Sequence, residues 1–316
     1  MGPLFLALLA VGSLIPVPFV EQKEHYCGPA ALAMVANYYG QRVTQDDIAA
    51  AIYQPNVRGV LTTDLAAQAQ QLGFWARTYR GDIADLRRKL ADGVPLILHT
   101  RFGQHDHFLV ALGADKFNRT ITVHTDTRSF QELSEEELLR HWERSGRWTL
   151  LICPPDRACW RLSADEHNDL GVFLERRGQP MAAAGHYKLA TELQPGNPLF
   201  HFNLGNALLK QKLFAEAAAA FRRAADLAPD NADTLNNLAW AWCELGANLD
   251  EAAALCRRAV ALRPSSRAWY LDTLGQVLLR QDKPDEARKT FQEALEATTD
   301  RDAALRKALM DRLRIQ

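Results

Sequence analysis

The chain has 316 residues, of which 47% are hydrophobic and 24% are charged, and its formal net charge is −1 at pH 7. This length suits two domains better than one. The near-zero net charge argues against nucleic acid or an anionic membrane surface as the main partner. No internal stretch is long and apolar enough to predict a transmembrane helix.

The N-terminus differs from the rest of the chain because residues 2–20 carry no charge. Residues 4–11 resemble the apolar region of a secretory signal, and Ala10-Val11-Gly12 resembles a cleavage site. The usual basic segment before it is missing, so a buried apolar segment is the alternative. The signal interpretation predicts an extracytoplasmic protein, periplasmic or membrane-anchored, that meets the membrane only through residues 1–15.

A cysteine begins the first predicted helix. Cys27 is followed by Gly-Pro, then by apolar residues at helical spacing, and Gly40 ends the pattern. Proline is well tolerated in the first turn of a helix, so Cys27 is expected at the helix N-terminus. The unpaired N–H groups and the helix dipole favour a thiolate there. This position predicts a nucleophile, and a simply packed turn is the alternative.

The rest of the first half alternates between helices and strands. Further helices are predicted at residues 44–53, 64–72, 82–92 and 133–142, and strands at residues 74–80, 94–100, 107–113, 120–124 and 147–153. Residues 101–106 are expected to form a turn. Ser134 and Glu137 have the spacing of a capping box. A helical front carrying the nucleophile, followed by an antiparallel meander with histidine, is how papain-like peptidases are built, so we predict an α+β fold.

A cysteine nucleophile needs a base, a group that orients the base, and donors for the oxyanion. His107 is the best candidate base because it begins a hydrophobic strand after a polar turn. Asp126 follows the next strand and supplies a carboxylate. Gln22, just before the helix, can offer its side-chain amide to the oxyanion beside the backbone N–H of Cys27. The order Gln, Cys, His, Asp along an α-then-β chain supports these roles jointly.

The first half resembles the bacteriocin-processing peptidases, which are papain-like cysteine peptidases that cut after double-glycine leaders. The resemblance rests on Gln22, on Cys-Gly-Pro-Ala-Ala-Leu from Cys27, on Asn-Tyr-Tyr-Gly at residues 37–40 and on His-Phe-Leu-Val-Ala-Leu-Gly from His107. It covers residues 16–154 and is closest to exported bacterial relatives in which such a domain precedes tetratricopeptide repeats. It implies Cys27 as nucleophile, His107 as base, Asp126 as orienting acid and Gln22 as oxyanion donor.

The chain departs from that pattern at two positions. The transporter-linked enzymes place the glutamine six residues before the cysteine, where this chain has Glu21; the exported relatives tolerate the shorter spacing. The family usually has Asp-Pro after the third strand, whereas this chain has His124-Thr-Asp126-Thr. His124 is therefore an alternative occupant of the position given to Asp126.

A metal site is a rival interpretation of the histidines. His99, His105, His107 and His124 lie on or next to neighbouring predicted strands, and His-x-His occurs at residues 105–107. The alternative for His99 is a core histidine. The peptidase interpretation requires neither a metal nor any other cofactor.

The second half contains a repeat. Residues 154–163 are expected to link a first domain at residues 16–160 to a second at residues 161–316. Four related segments place their central alanines 34, 35 and 35 residues apart, at Ala190, Ala224, Ala259 and Ala294. This period resembles the tetratricopeptide repeat, an all-α solenoid. We expect four helix pairs over residues 164–300 and a capping helix at residues 301–316.

Such repeats usually present a groove to a peptide or a partner protein. The candidate groove residues are asparagines on the first helices, for which ordinary solvated positions are the alternative: Asn168, Asn203, Asn206, Asn236 and Asn237.

Apart from Cys27, the cysteines form two local pairs, Cys153 with Cys159 and Cys243 with Cys256. Each pair is either a disulfide in an oxidising compartment or two small buried side chains.

The sequence therefore predicts a cysteine peptidase that hydrolyses a peptide bond, with repeats that recruit a protein or peptide partner. A catalytically weak or inactive peptidase-like domain that binds peptide or protein is the alternative from another functional class. Transfer or deamidation at an amide is a third reaction that the same residues support.

Overall fold

The computed structural model describes residues 14–157 and 162–315. The chain divides into two compact units, Met1–Arg161 and Leu162–Gln316. The apolar region and cleavage site of the predicted signal, and Cys159 of the first cysteine pair, lie outside the described residues. Among the helices that the structure describes, none has both the length and the apolar character of a membrane span.

The first unit is α+β, as predicted. Its helices are α1 (Cys27–Tyr38), α2 (Gln45–Ile52), α3 (Thr62–Gln71), α4 (Ile83–Ala91) and α5 (Glu135–Glu143). Its strands are β1 (Trp75–Arg80), β2 (Leu96–Phe102), β3 (His105–Asp115), β4 (Thr120–His124), β5 (Gln131–Ser134) and β6 (Trp148–Cys153). They form one antiparallel sheet in the order β1-β6-β2-β3-β4-β5.

The structure corrects two parts of the predicted meander. The turn between β2 and β3 is short, because Arg101 pairs with Asp106 and Phe102 with His105 across the hairpin. β3 therefore begins at His105, two residues before the predicted start. Strand β5 was not predicted at all. The capping box predicted at the start of α5 is only half formed. Ser134 accepts the Glu137 N–H at 3.1 Å, but the Glu137 side chain does not accept the Ser134 N–H in return.

Helix α1 lies at the centre of the first unit. All its residues from Gly28 to Ala36 are buried. Gly40 has φ +91°, which fits a glycine just beyond the helix end. The Asn37 side chain then bonds both backbone groups of Val43, at 2.9 and 3.0 Å, and so fixes the connection to α2.

The second unit is all helical, as predicted. Its helices are α6 (Ala164–Arg176), α7 (Pro180–Leu193), α8 (Pro198–Lys210), α9 (Phe214–Leu227), α10 (Ala232–Leu245), α11 (Leu249–Leu262), α12 (Arg267–Arg280), α13 (Pro284–Glu296) and α14 (Ala303–Ile315). The four repeated alanines lie one each on α7, α9, α11 and α13, and all four are buried. The sequence period thus corresponds to successive helix pairs.

Small and aromatic residues set the packing within these pairs. A Cβ added to Gly205 on α8 would lie 2.6 Å from the Phe221 ring on α9. Gly275 and Phe291 repeat the arrangement at 2.4 Å. Real Cβ atoms do not approach so closely, so each glycine is needed for the aromatic ring to fill the space between its two helices.

Of the two interpretations of the second cysteine pair, the structure excludes the disulfide. Cys243 on α10 and Cys256 on α11 are free thiols in the core of the second unit. Burial raises the pKa of Cys243 to about 11 and that of Cys256 to about 12. Both therefore behave as small buried side chains, which was the alternative interpretation.

Candidate active site

Cys27 is the first residue of α1 and is half-buried beside strand β3. The backbone N–H of Phe108, the residue after His107, is near enough to the Cys27 thiol to lower its pKa. Gly28 makes this approach possible, because a Cβ there would lie 3.3 Å from the Phe108 ring and 2.4 Å from Val60. The Cys-Gly-Pro sequence thus brings the start of α1 against the strand that carries the candidate base.

The N–H groups at the helix start favour a thiolate, as expected, but they do not decide the protonation state of Cys27. Burial raises the pKa of the Cys27 thiol above its ordinary value. The backbone N–H groups of Phe108, Gly28 and Cys27 itself lower it, but burial outweighs them, and the nearby Asp106 carboxylate raises the pKa further. The thiol is therefore protonated at neutral pH.

His107 and His99 lie on opposite faces of the sheet. Phe108 pairs with His99 across β2 and β3, and the two rings stack with centroids 4.9 Å apart. Because neighbouring strand residues alternate between faces, His107 projects from the other face. His99 is thus a ring packed on Phe108, with its Nε2 3.4 Å from Asp106, as expected of a histidine with satisfied surroundings.

His107 lines a cavity of about 450 Å³ together with Asp126. Burial lowers the pKa of His107, whereas the Asp126 carboxylate raises it and His99 lowers it. The imidazole is therefore neutral at neutral pH, which is the form that a general base needs. Its Nε2 is buried and has no hydrogen-bond partner among the residues that the structure describes. Asp126 is close enough to act on His107 through its charge.

Gln22 lies on a segment that belongs to no helix or strand, and its backbone N–H donates to the Asp126 carbonyl at 3.1 Å. A residue that the sequence did not single out holds this segment on both sides. Gln45 accepts from the Lys23 N–H at 2.9 Å and donates to the Glu21 carbonyl at 2.9 Å. The only sequence signal for Gln45 was its place directly after the Thr44 cap of α2, which gives no indication of a contact 22 residues away.

The alternative acid, His124, serves a different purpose. It is completely buried, with its Nε2 3.0 Å from the Val17 carbonyl, while its Nδ1 accepts from the Phe130 N–H at 3.2 Å. Both ring nitrogens are thus used by the backbone. The metal interpretation finds no support in residues 14–157 and 162–315, where no group of three or more His, Cys, Asp or Glu side chains is placed to hold an ion.

Separate protein families match the two halves of the chain. Residues 17–155 match the Peptidase C39 family. Residues 168–232 and 214–267 match one tetratricopeptide repeat family, and residues 247–300 match another. The protein O-mannosyl-transferase TMTC3 of Mus musculus is 27% identical over 173 residues, which are 50% of this chain but only 18% of that protein. The match thus spans less than a fifth of the curated relative.

Two solved structures are also similar to parts of the chain. The peptidase domain of Streptococcus ComA is 22% identical, with 44% of this chain and 98% of that chain covered and a TM-score of 0.39. MamA from Desulfovibrio magneticus RS-1 is 20% identical, with 51% and 80% covered and a TM-score of 0.41. By its family matches, the chain carries a Peptidase C39 domain at residues 17–155, followed by tetratricopeptide repeats.

Proposed function

We propose that the first unit is a cysteine peptidase that hydrolyses a peptide bond with Cys27 as nucleophile and His107 as base. The observation that carries the proposal is the junction of α1 and β3. There the backbone N–H of Phe108, the residue after His107, lowers the pKa of the Cys27 thiol, and His107 is a neutral imidazole whose buried Nε2 has no hydrogen-bond partner among the described residues. A buried nitrogen without a partner is uncommon in a folded protein unless it has another task.

The mechanism begins from a neutral pair, because the thiol is protonated and the imidazole is not. His107 takes the thiol proton as the sulfur attacks the substrate carbonyl, so the nucleophile forms only during the reaction. The Gln22 amide and the Cys27 N–H stabilise the oxyanion. His107 then gives the proton to the leaving amine as the C–N bond breaks, and it activates the water that hydrolyses the thioester. Asp126 stabilises the imidazolium that forms in between.

The leaving amine must lie beside His107 to receive its proton. We therefore propose that the substrate chain beyond the cleaved bond passes into the cavity that His107 and Asp126 line. That cavity has an apolar part formed by Phe102, Leu109 and Leu133.

The repeats of the second unit are proposed to recruit a protein or peptide partner. Asn168 and Asn203 bond each other at 2.7 Å, as do Asn206 and Asn237 at 2.9 Å, so these side chains link successive first helices. The side-chain oxygen of Asn236 is buried without a partner among the described residues. An extracytoplasmic location, predicted from residues 2–20, belongs to the same proposal, and fractionation of cells that express the full-length protein tests it.

An active-site electrophile tests the peptidase proposal. Acetyl-Gly-Gly chloromethyl ketone is expected to modify Cys27 faster than any other cysteine, and His107→Ala is expected to slow this reaction. His201→Ala is the matched control, because His201 lies on α8 in the second unit, outside the candidate site. Modification of Cys27 that is no faster than that of a small thiol, or that does not depend on His107, would overturn the proposal.

The second candidate function is peptide binding without turnover. The raised pKa of the Cys27 thiol is the observation that favours it, since a protonated thiol is a poor nucleophile. In that case a peptide that continues beyond an internal Gly-Gly pair binds the wild type and Cys27→Ala equally well and is released intact from both.

A further inference from the structure

The structure assigns to Gln45 the role of a positioning residue that fixes Gln22 as the oxyanion donor. This inference rests on the proposed peptidase function. It starts from three backbone bonds on three consecutive residues, Glu21, Gln22 and Lys23. The segment belongs to no helix or strand, so these bonds, with the residues that make them, define its position.

Gln45 makes two of the three bonds with the two ends of one side-chain amide. Its oxygen accepts from Lys23 and its nitrogen donates to Glu21, both at 2.9 Å, so the amide spans the residue between them. The side chain is only 8% exposed. An amide that is buried and bonded at both ends has a fixed orientation, and it passes that orientation to the backbone of Gln22.

The third bond joins the same segment to the candidate acid, since the Gln22 N–H donates to the Asp126 carbonyl at 3.1 Å. The backbone of the oxyanion donor is thus attached to the start of α2 on one side and to the end of β4 on the other.

Gln45 is in turn fixed relative to α1, the helix that begins with Cys27. Thr44 and Asp47 form a complete capping box at the start of α2, with bonds of 3.1 and 2.9 Å. The double bond between Asn37 and Val43 fixes the approach to α2 from the end of α1. Cys27 at one end of α1 and Gln45 just beyond the other end therefore belong to one connected structure. The two oxyanion donors, the Gln22 amide and the Cys27 N–H, are positioned relative to each other through it.

A comparison of two inhibitors separates this role from a merely structural one. Acetyl-Gly-glycinal, a peptide aldehyde, forms a hemithioacetal with Cys27 whose oxygen needs the oxyanion donors. Iodoacetamide alkylates Cys27 without forming an oxyanion. Loss of one oxyanion donor lowers kcat about 10²–10³-fold in a related type of site. We expect Gln45→Met, which is similar in size but lacks both bonds, to weaken aldehyde binding about tenfold or more while the iodoacetamide rate is unchanged.

Asp46→Asn is the matched control. Asp46 also holds this segment, through an ion pair with Lys23 at 2.6 Å, but both side chains are more than half exposed. Exposed ion pairs contribute little, so aldehyde binding is expected to be unchanged. If Gln45 acts through Gln22, Gln45→Met has no further effect in a Gln22→Ala background.

Two results would contradict the role of Gln45, and a third would contradict the proposed peptidase function. Unchanged aldehyde binding in Gln45→Met, with weakened binding in Gln22→Ala, overturns the role of Gln45. A slower iodoacetamide reaction in Gln45→Met also overturns it, because the substitution then disturbs Cys27 itself. Failure of the aldehyde to bind Cys27 of the wild type overturns the proposed peptidase function, on which the role of Gln45 depends. Should Gln45→Met not fold, Gln45→Glu keeps the acceptor for Lys23 and loses only the donor to Glu21.

Discussion

His107 and Asp126 line the same cavity, yet the buried Nε2 of His107 has no hydrogen-bond partner in the described part of the chain. The Asp126 carboxylate instead accepts from the Thr127 N–H at 3.0 Å. The two groups therefore interact through charge without a direct bond in this state. Catalytic hydrogen bonds are often loose before substrate binds, and a tightening of this pair on binding is what the proposed mechanism requires.

Asp126→Asn tests that requirement. Asparagine keeps the size of the side chain but loses the charge that stabilises the imidazolium, so we expect kcat/KM to fall by about tenfold or more. The Asp126 charge raises the pKa of His107, and the substitution removes this effect. The fall of kcat/KM on the acid side must then move to lower pH, since His107 has to be neutral to act as base.

The measurement is the pH profile of kcat/KM for release of a fluorogenic amine from a Gly-Gly peptide. Glu132→Gln, on the exposed side of β5, is the control and is expected to leave the profile unchanged. An acid side that does not move would show that another group orients His107.

Asp106 gives a second prediction, this time for Cys27. Its carboxylate raises the pKa of the Cys27 thiol, and Asp106→Asn removes that charge. The thiolate fraction at neutral pH must therefore increase, and the midpoint of the iodoacetamide rate against pH must fall. Arg101→Gln removes the guanidinium that binds Asp106 at 2.7 and 3.1 Å but leaves the carboxylate in place. Arg101→Gln is therefore expected not to lower the midpoint of the iodoacetamide rate against pH. Equal shifts of this midpoint in the two variants would contradict the effect assigned to the Asp106 charge.

The sequence predicted the parts of the site that depend on local pattern. The helical spacing after Cys27 and the apolar run from Phe108 each mark an element, and the polar residues at their starts were the candidate nucleophile and base. The extension of β3 to His105 was missed because polar residues there pair across the hairpin: Arg101 with Asp106. A strand held by such pairs has no apolar pattern.

Tertiary contacts account for the remaining errors. Strand β5 is only four residues long and is defined by its pairing with β4, so its own composition carries little signal. Gln45 bonds a segment more than 20 residues earlier, which no local pattern indicates. The pKa of Cys27 depends on burial by the folded chain. The N–H groups at the helix start lower the pKa as predicted, but the larger effect of burial could not be predicted from the helix start alone.

A pair of glycines tests the packing of the repeats. Gly205→Ala would place a Cβ 2.6 Å from the Phe221 ring, which is fully buried and has no room to move. Overpacking of this kind destabilises a core by about 1–3 kcal/mol. Gly185 is the matched control because it lies within α7 with nothing within 4 Å of an added Cβ. Gly185→Ala is expected to stabilise the second unit by up to about 1 kcal/mol. Urea unfolding of the full chain, followed by helical circular dichroism, measures both, and a destabilisation of similar size in the two variants would contradict the packing argument.

Two histidines between α6 and α7 predict that the first helix pair weakens in acid. The Nδ1 atoms of His167 and His186 lie 3.0 Å apart, so one ring donates and the other accepts, which requires the accepting ring to be neutral and is lost when both rings are protonated. Burial lowers the pKa of both rings; the charge of His186 lowers that of His167 further, and Glu166 raises it. The unfolded chain therefore binds more protons than the folded one below the ordinary histidine pKa of about 6.5. Stability is complete above that pH and decreases as the pH falls below it.

Hydrogen exchange of the full chain at pH 7.5 and pH 5.5, corrected for the intrinsic effect of pH on exchange, measures this locally. Amides of α6 and α7 are expected to lose protection at pH 5.5 in the wild type. The loss should be much smaller when both histidines are replaced by glutamine, which cannot take up a proton. His201→Gln is the control, because His201 contacts the Pro195 carbonyl at 3.0 Å and is not part of the pair. If the double variant loses as much protection in acid as the wild type, the pair is not the source of the acid sensitivity.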